Sequence, residues 1–388
     1  MRRNPFFLLR ELNEKPYLLP FGQGIADHRR GVCLNETGVF LWNALATDLG
    51  RDTLLSLLAD HYEASEDELP ELAQDLDLYL EQLIQNGAVL PDTDPWAVSA
   101  QFYETLEIAG LTLRLEGPPE IYSESFHAFR AADASSAKPD MTITAFAGIC
   151  PYKNPGNMIL RNDLLTILDC GDYYELEFLS NTQVRSLVLK KDGSKAIFYY
   201  AFPHNELLKE ELFHGIREAF LYLAGLHGMA AIHSTSILYQ GKAWLFSGHS
   251  GMGKSTHARL WQDTFQIPIL NGDLNLLGIK DEKPMLFGIP WCGTSGIYDT
   301  ESLPLGGIIL LKRGKTNYTQ ELSPDQQVLL VDQRLISHSW TEQLFDTNLE
   351  LIQKIAPGLL ICNLYCTKDP EAAHIMRARI DQAIQEKA

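Results

Sequence analysis

The stretch SGHSGMGKSTHARLW, residues 247–261, decides the fold of this 388-residue chain. Counted from Gly248, it contains the spacing G-x-x-x-x-G-K-S, which ends with Gly253, Lys254 and Ser255. In such a loop the glycines let backbone N–H groups turn inward around an anion, and the start of the following helix adds its partial positive charge. The spacing therefore predicts a phosphate-binding loop.

The segments on either side of the loop support this prediction. AWLFS, residues 243–247, has the composition of a strand, while Ala258, Trp261 and Phe265 recur at the spacing of one helix face. A strand, the loop and a helix in this order are the context that the motif requires. The predicted nucleotide-binding residues are Gly248, His249, Ser250, Gly251, Met252, Gly253, Lys254, Ser255 and Thr256.

The residue types at the end of the loop predict ATP and Mg²⁺ as cofactors. Lys254 would reach the β- and γ-phosphates, and the Ser255 hydroxyl would bind the metal. Downstream, IPILNGD is a short strand that ends in Asp273, and a right-handed crossover would set this strand beside the loop strand. A carboxylate there can bind Mg²⁺ or accept a proton from an attacking hydroxyl. Lys254 and Asp273 are thus candidate catalytic residues, and Ser255 and Asp273 are candidate metal ligands.

The loop strand also has an upstream partner. SILYQGKAWLFS, residues 236–247, contains two strand-like runs joined by the turn Gln240-Gly241, which predicts an antiparallel hairpin. His233 precedes this hairpin, and it is either a buried structural histidine or a residue near the transferred phosphate. FGIPWCGTSG, residues 287–296, is predicted to be an exposed loop of the kind that often carries function.

Residues from about 215 to 312 resemble the catalytic domain of HPr kinase/phosphorylase relatives. The segments that carry the resemblance are AAIHSTSILYQGKAWLFSGHSGMGKST, NGDLNLL, GIPWCGTSG and LGGIILLKRG. The resemblance implies a phosphoenolpyruvate-carboxykinase-like P-loop fold in which a hairpin feeds the loop. It matches His233 to the family's histidine before the hairpin, which makes His233 the third candidate catalytic residue. It also matches Lys254 and Ser255 to the family's loop lysine and Mg²⁺-binding serine.

This chain departs from that family at two places. The family's pair of aspartates is Gly272-Asp273 here, so one carboxylate is missing. The family's Glu and Arg-Gly signature is replaced by PWCGTSG. These departures argue against phosphorylase activity and against HPr as the substrate.

The first hundred residues predict a small unit of strands and three short helices, a winged-helix-like plan. Strand-like pieces at 17–25 and 31–34 precede a helix capped by Asn35, and helices over about 51–61 and 72–83 follow. Asn86-Gly87 ends the third helix, and AVL continues as a closing strand.

Residues of about 15 to 92 are similar to PqqD-like domains, the precursor recognition elements of pathways for ribosomally synthesised and post-translationally modified peptides (RiPPs). The segments GVCLNETGVFLWNAL and DLDLYLEQLIQNGAVL carry the similarity. It implies that an unstructured leader peptide adds a strand to the small sheet and packs on the third helix. The residues implied to contact the leader are Val32, Cys33, Leu34, Leu76, Tyr79, Leu80 and Leu83.

The predicted fold class combines α+β and α/β parts. Residues 1–95 form the PqqD-like recognition domain and PDTDPW, at 91–96, is a linker. Residues 100–205 form a strand-rich subdomain packed on the kinase, and 206–388 form the HPr-kinase-like P-loop domain. In the strand-rich part, Lys191 to Ser194 is predicted to be a hairpin turn.

Composition excludes several classes of partner. A formal net charge of -18 argues against nucleic acid or an anionic membrane. Six scattered cysteines without C-x-x-C spacing favour reduced thiols in a cytoplasmic protein. No apolar segment is long enough to predict a membrane span. The apolar run near the first residue is too short to be that of a signal peptide.

Together these features predict an ATP-dependent kinase of a RiPP pathway, which captures a precursor's leader and phosphorylates a Ser or Thr of its core peptide. Two alternatives stay open. One is a kinase of small molecules or free amino acids. The other is a nucleotide-dependent, leader-binding chaperone that transfers no phosphate, which the missing carboxylate at Gly272 favours. The precursor, the acceptor residue and the oligomeric state are not predicted.

Overall fold

The computed structural model describes residues 1–26, 29–47, 49–65, 67–90, 100–132, 138–148, 150 and 156–386. The chain divides into two compact units. The first comprises Met1–Ser99 with Ile149–Asn157, and the second comprises Ala100–Gly148 with Met158–Ala388. The predicted linker at 91–96 lies outside the described residues.

The first unit combines short strands with helices. Its strands are β1 (Arg2–Arg3), β2 (Phe7–Leu12), β3 (Lys15–Pro20), β4 (Val32–Cys33) and β5 (Val89–Leu90). Its helices are α1 (Gln23–Ala26), α2 (Glu36–Ala44), α3 (Arg51–Tyr62) and α4 (Leu69–Gln85). Strands β2, β3 and β4 form an antiparallel sheet, and β1 pairs with β5.

Local sequence signals explain the packing of these helices. The Asn35 side chain accepts a hydrogen bond from the Gly38 N–H at 2.8 Å and caps α2, as the sequence predicts. A Cβ on Gly38 would lie 2.0 Å from the hydroxyl oxygen of Tyr79 on α4. Only glycine therefore permits the close approach of these two helices.

The sequence prediction of one strand over 17–25 is wrong. Strand β3 ends at Pro20, and Ile25 lies in α1. The partner of β3 is β2, joined to it by Asn13-Glu14, whose positive φ values of 51° and 63° suit a tight hairpin turn. The alternation of apolar residues in β2 is too short and irregular to reveal this hairpin from the sequence.

The second unit begins with a sheet of eight strands. They are β6 (Phe102–Ile108), β7 (Leu111–Glu116), β8 (Met141–Ala147), β9 (Asn157–Arg161), β10 (Leu165–Asp169), β11 (Tyr173–Phe178), β12 (Val184–Lys190) and β13 (Lys195–Tyr200). Their order is β6-β7-β8-β13-β12-β11-β10-β9, and β8 runs parallel to β7 and β13. The predicted turn from Lys191 to Ser194 joins β12 to β13.

Helices and a second sheet follow. The helices are α5 (Glu206–Leu226), α6 (Lys254–Phe265), α7 (Pro324–Asp332), α8 (Glu342–Ile355) and α9 (Glu371–Gln385). The strands are β14 (Ala230–Tyr239), β15 (Lys242–Ser247), β16 (Ile269–Asn271), β17 (Leu274–Lys280), β18 (Lys283–Phe287), β19 (Leu303–Arg313), β20 (Tyr318–Glu321) and β21 (Leu360–Cys366). Strand β15 lies between antiparallel β14 and parallel β19, which also pairs with β21.

One hydrophobic core joins both sheets of the second unit. It includes Leu113 of β7, Phe198 of β13, Phe220 of α5 and Leu276 of β17. The mixed architecture of helices and strand-rich sheets that the sequence predicts is confirmed. Within the described parts of the chain, no helix has both the length and the apolar surface to cross a membrane.

A buried carboxylate ties α5 to the first sheet. The Glu211 side chain, 9% exposed, accepts hydrogen bonds from the N–H groups of Thr182, Gln183 and Val184, each at 2.8 Å. Burial alone would raise the pKa of Glu211, but these bonds outweigh burial and hold its pKa below the ordinary value. The ionised carboxylate therefore satisfies the backbone where β12 begins.

We expect Glu211→Gln to lower the free energy of unfolding by about 1–3 kcal/mol at pH 7, because the neutral amide accepts fewer of these bonds. Since the folded pKa is depressed, the carboxylate's contribution is present above the unfolded pKa of about 4.3 and is lost as pH falls through the folded pKa. Urea unfolding at pH 7 and near pH 4 should show the difference between the two proteins shrinking in acid. The exposed neighbour provides the control Glu210→Gln, and an equal loss in both variants would contradict the assignment.

Candidate active site

The loop between β15 and α6 exposes the start of a helix to an anion. Gly251 and Gly253 adopt φ values of 73° and 92°, in the left-handed region that residues with side chains rarely enter. Gly253 is the N-cap of α6 and makes no side-chain capping bond, so no N-cap side chain competes with an anion for the N–H groups of the first turn. Met252 donates its N–H to the His249 carbonyl at 3.1 Å and closes the turn.

The Lys254 side chain folds back into this loop. It is only 7% exposed, and its Nζ donates to the Gly248 carbonyl at 3.1 Å. Burial lowers the pKa of Lys254, and the negative charge of Asp273 opposes that shift. Ser255 and Thr256 are exposed on the first turn of α6, so an ammonium group and two hydroxyls border the loop.

Strand β14 brings His233 to the entry of the loop. The Ser247 hydroxyl, at the end of β15, donates to the His233 carbonyl at 2.8 Å. The His233 Nδ1 lies 3.3 Å from Oδ1 of Asp273. Burial and the charge of Lys254 lower the pKa of His233, and Asp273 acts in the opposite direction. The three candidate catalytic residues from the sequence are therefore neighbours.

Asn271 holds Asp273 in place, and sequence analysis missed it. Its Oδ1 accepts the N–H of Asp273 at 3.0 Å and that of Leu274 at 3.1 Å, while its Nδ2 donates to the Trp291 carbonyl at 3.1 Å. An asparagine that bonds the backbone two residues ahead is the signature of an Asx-turn. The pattern Asn-Gly-Asp after a short strand was the available signal.

The position predicted for the strand before Asp273 is wrong. The sequence places IPIL beside the loop strand through a crossover, but β16 pairs antiparallel with β14 through Ser236↔Asn271. The two edges of β15 are already taken, one by its hairpin partner β14 and one by β19. Asp273 thus arrives at the site from the far side of β14, where it meets His233.

The segment 287–296 is only partly the exposed loop that the sequence predicts. Residues 288–292 are buried, and the indole N–H of Trp291 donates to the Phe213 carbonyl on α5 at 2.9 Å. Exposure begins at Gly293, where a Cβ would lie 2.8 Å from the side chain of Asp273. This loop therefore covers one side of the candidate catalytic carboxylate.

Ser295 explains why position 272 has no side chain. A Cβ on Gly272 would lie 2.1 Å from the Ser295 Oγ, whose hydroxyl donates to the Cys292 carbonyl at 2.7 Å. In the resemblance described above, this position carries the family's first aspartate. Ser295 occupies the space that an aspartate side chain needs, so Asp273 alone provides a carboxylate from this turn.

The described residues contain no group of three or more His, Cys, Asp and Glu that could hold a metal. Mg²⁺ in phosphate-transfer sites needs no such cage, because phosphates and waters complete the octahedron around one or two protein oxygens. The exposed Ser255 hydroxyl and the Asp273 carboxylate are hard oxygen donors of this kind. The donor set is consistent with Mg²⁺ bound together with a nucleotide.

Four of the predicted leader contacts belong to the core of the first unit. Leu34, Leu76, Leu80 and Leu83 are each 4% exposed or less, so they pack against the rest of this unit and present almost no surface to a leader. Apolar spacing on a helix identifies a buried face but does not say whether the chain itself or a ligand buries it. Three of the seven predicted contacts retain accessible surface: Val32, Cys33 and Tyr79.

Strand β4 presents an open edge next to Tyr79. The Leu34 N–H donates to the Pro16 carbonyl at 2.8 Å, and Val32 is paired with Leu18, so both residues face β3. Because backbone groups alternate along an antiparallel strand, the N–H and carbonyl of Cys33 face away from β3. That edge can pair with an added strand.

Comparison with known proteins places these features in context. Residues 25–89 match the family model described as "Coenzyme PQQ synthesis protein D (PqqD)". No curated protein matches the chain. Among solved structures, the chain is similar to the Hpr(Ser) kinase/phosphatase from Coxiella burnetii, at 9% identity and a TM-score of 0.24 over 41% of this chain and 99% of that one. A TM-score this low supports no conclusion about activity, whereas the PqqD match supports a recognition domain in the N-terminal unit.

Proposed function

We propose that this protein is an ATP-dependent kinase of a RiPP pathway. Its N-terminal domain would bind the leader of a precursor peptide, and its P-loop unit would phosphorylate a Ser or Thr of the core peptide. The observation that carries the proposal is the cluster of Lys254, His233 and Asp273 at the mouth of a glycine loop. A phosphate-binding loop that is only structural would not need a histidine–carboxylate pair at its open side.

The chemistry follows from the placement of these groups. The acceptor hydroxyl oxygen forms a bond to the γ-phosphorus while the bond from that phosphorus to the β,γ-bridging oxygen breaks, and ADP leaves with the bond's electrons. The hydroxyl proton passes to the Asp273–His233 pair, whose Oδ1 and Nδ1 lie 3.3 Å apart. Lys254 holds the phosphates from inside the loop. Mg²⁺, when bound, neutralises charge on the phosphate oxygens.

The two members of the pair have different tasks. Burial and Lys254 lower the pKa of His233, so the imidazole is neutral at pH 7. A neutral imidazole that donates from Nδ1 to Asp273 keeps Nε2 free to accept a proton, and the carboxylate stabilises the cation that forms. Alternatively, Asp273 accepts the proton directly and His233 orients it. Either arrangement requires the carboxylate.

The open edge of β4 supports leader capture by β-augmentation. An added strand would pair with the outward-facing N–H and carbonyl of Cys33 and would lie beside Tyr79. Such tethering raises the local concentration of the core peptide to the millimolar range, so the phosphorylation site itself need not bind the core tightly.

One alternative has its own supporting observation. Because Ser295 leaves no room for a side chain at position 272, the turn carries a single carboxylate, that of Asp273. A protein that binds nucleotide and leader without phosphoryl transfer would tolerate this loss.

The experiment that separates the kinase from such a chaperone is the intact mass of candidate precursor peptides after incubation with the protein, ATP and Mg²⁺. A gain of one phosphate decides for the kinase, and an unchanged mass with leader binding intact decides for the chaperone.

Asp273→Asn should separate chemistry from binding. The amide keeps the shape of the side chain but neither accepts a proton nor offers a full charge to the metal. We expect nucleotide affinity to stay within about tenfold, equal to about 1.4 kcal/mol, and the rate to fall by about a hundredfold or more.

Lys254→Ala should lose both nucleotide affinity and turnover. Calorimetry measures binding, and phosphopeptide formation measures the rate.

The matched control for Asp273→Asn is Asp281→Asn, in the exposed turn at the other end of β17. It makes the same chemical change away from the site and should leave both quantities unchanged. Wild-type turnover in a folded Asp273→Asn variant would exclude this carboxylate from the reaction.

The rate should depend on pH through the neutral form of His233. Because its pKa lies below the ordinary value of 6.5, we expect kcat/KM to be constant between about pH 7 and 8 and to decline as pH falls below 6.5. His233→Ala should abolish that decline along with most of the activity. An acid limb that begins above pH 7 would contradict the assignment.

A proline at the edge of β4 should block leader capture. Cys33→Pro removes the outward-facing N–H, while Cys33→Ser retains it and serves as the control. With a labelled candidate precursor, fluorescence anisotropy should show affinity reduced by about tenfold or more only in the proline variant. In turnover assays the loss should appear as a raised KM that high precursor concentration overcomes. Equal binding by both folded variants would place the leader elsewhere.

A further inference from the structure

The segment that follows α7 extends the edge of β14 at the active site. The His233 N–H donates to the Arg334 carbonyl at 3.1 Å, and the Ile336 N–H donates to the Ala231 carbonyl at 2.8 Å. The Ser337 hydroxyl oxygen accepts the Ala231 N–H at 2.6 Å. The backbone of this segment is therefore fixed against the strand that carries His233.

From that anchored backbone, the Arg334 side chain reaches the phosphate loop. Its Nη2 donates to Nε2 of His249 at 3.0 Å, and its Nη1 makes a long contact of 3.4 Å with the Gln333 carbonyl. Its Nε is buried and has no hydrogen-bond partner among the described residues. Since a guanidinium only donates, His249 accepts this hydrogen bond through Nε2.

Arg334 and Lys254 bring two positive charges to one mouth of the loop. Burial lowers the pKa of Lys254. The negative charge of Asp273 raises this pKa, and the positive charge of Arg334 lowers it. Within the part of the chain that the structure describes, neither side chain forms an ion pair with a carboxylate. Two neighbouring cations that form no ion pair repel each other, and an anion with several charges relieves that cost.

We propose that Arg334 binds the terminal phosphate of the nucleoside triphosphate and stabilises it during transfer. This inference rests on the proposed kinase function and adds a residue that sequence analysis did not identify. Arg334 comes from the His233 side and Lys254 from inside the loop, so the γ-phosphate would lie between them. When the phosphate binds, the guanidinium exchanges its contacts with His249 and Gln333 for two parallel N–H···O bonds, which its planar fork favours. Arg334 itself forms and breaks no covalent bond.

A purely structural arginine would behave differently. If Arg334 only tied the loop to the segment after α7, its loss would loosen the loop for every nucleotide and lower stability. A contact with the γ-phosphate instead discriminates triphosphate from diphosphate, because ADP lacks the group that Arg334 binds. The ratio of the two affinities therefore distinguishes the roles, and it requires no knowledge of the peptide substrate.

The experiment measures the Kd of a non-hydrolysable ATP analogue and of ADP, each with Mg²⁺, by calorimetry on the full chain. Arg334→Ala should weaken the triphosphate analogue by about tenfold to a hundredfold and ADP by less than about threefold. Arg334→Lys should recover part of the loss, since it restores the charge without the fork. The control is Arg185→Ala, which removes an exposed arginine of β12 in the other sheet. The thermal unfolding midpoint should be the same for all four proteins.

The possible failures are distinguishable. If the wild-type protein binds neither nucleotide, the proposed kinase function is wrong and the inference falls with it. If the wild type binds both and Arg334→Ala weakens both equally, or lowers the unfolding midpoint, the kinase proposal stands and the role of Arg334 is structural. If Arg334→Ala binds the triphosphate analogue as the wild type does, Arg334 makes no contact with the phosphate.

Discussion

The antiparallel pairing of β14 with β15 is the constraint on which the rest of the site depends. A two-residue turn, Gln240-Gly241, sets the register so that Tyr239 opposes Lys242 and Ser234 opposes Ser247. The next residue along β14 is His233, which consequently lies where β15 gives way to the glycine loop. A slip of one residue would turn His233 to the other face of the sheet. One tight turn thereby determines which side chain lies at the mouth of the glycine loop.

The sequence predicts those parts of the structure that are specified locally. The hairpin turns at Lys191–Ser194 and Gln240-Gly241 and the strand–loop–helix order around Lys254 depend on residues a few positions apart, and each lies where it was expected. The neighbours of β16 and the approach of Arg334 depend on contacts between distant segments. Residue 334 reaches residue 249 only because a sheet brings them together, and no spacing in the chain records that contact.

The predicted leader contacts on α4 are ambiguous for another reason. Leu76, Leu80 and Leu83 show the spacing of an apolar face, and such a face is equally required to pack a three-helix unit and to bind a peptide. Burial in the folded chain decides between these possibilities. What remains for a partner is an open backbone edge and the half-buried Tyr79, which is consistent with recognition that depends on main-chain pairing more than on side-chain pockets.

The hydrogen bond from Trp291 to the Phe213 carbonyl has a consequence for cooperativity. Trp291 packs among Phe126, Phe213 and Phe220 in the core that also holds the strands of the first sheet. The loop that covers Asp273 is thus anchored in a core built largely by residues outside the P-loop sheet. Local opening of that core would release the loop, so amide protons beside the Asp273 carboxylate should exchange together with those of α5 as one cooperative unit. The strand-rich segment would then set how long the site stays assembled, although its strands lie in the other sheet.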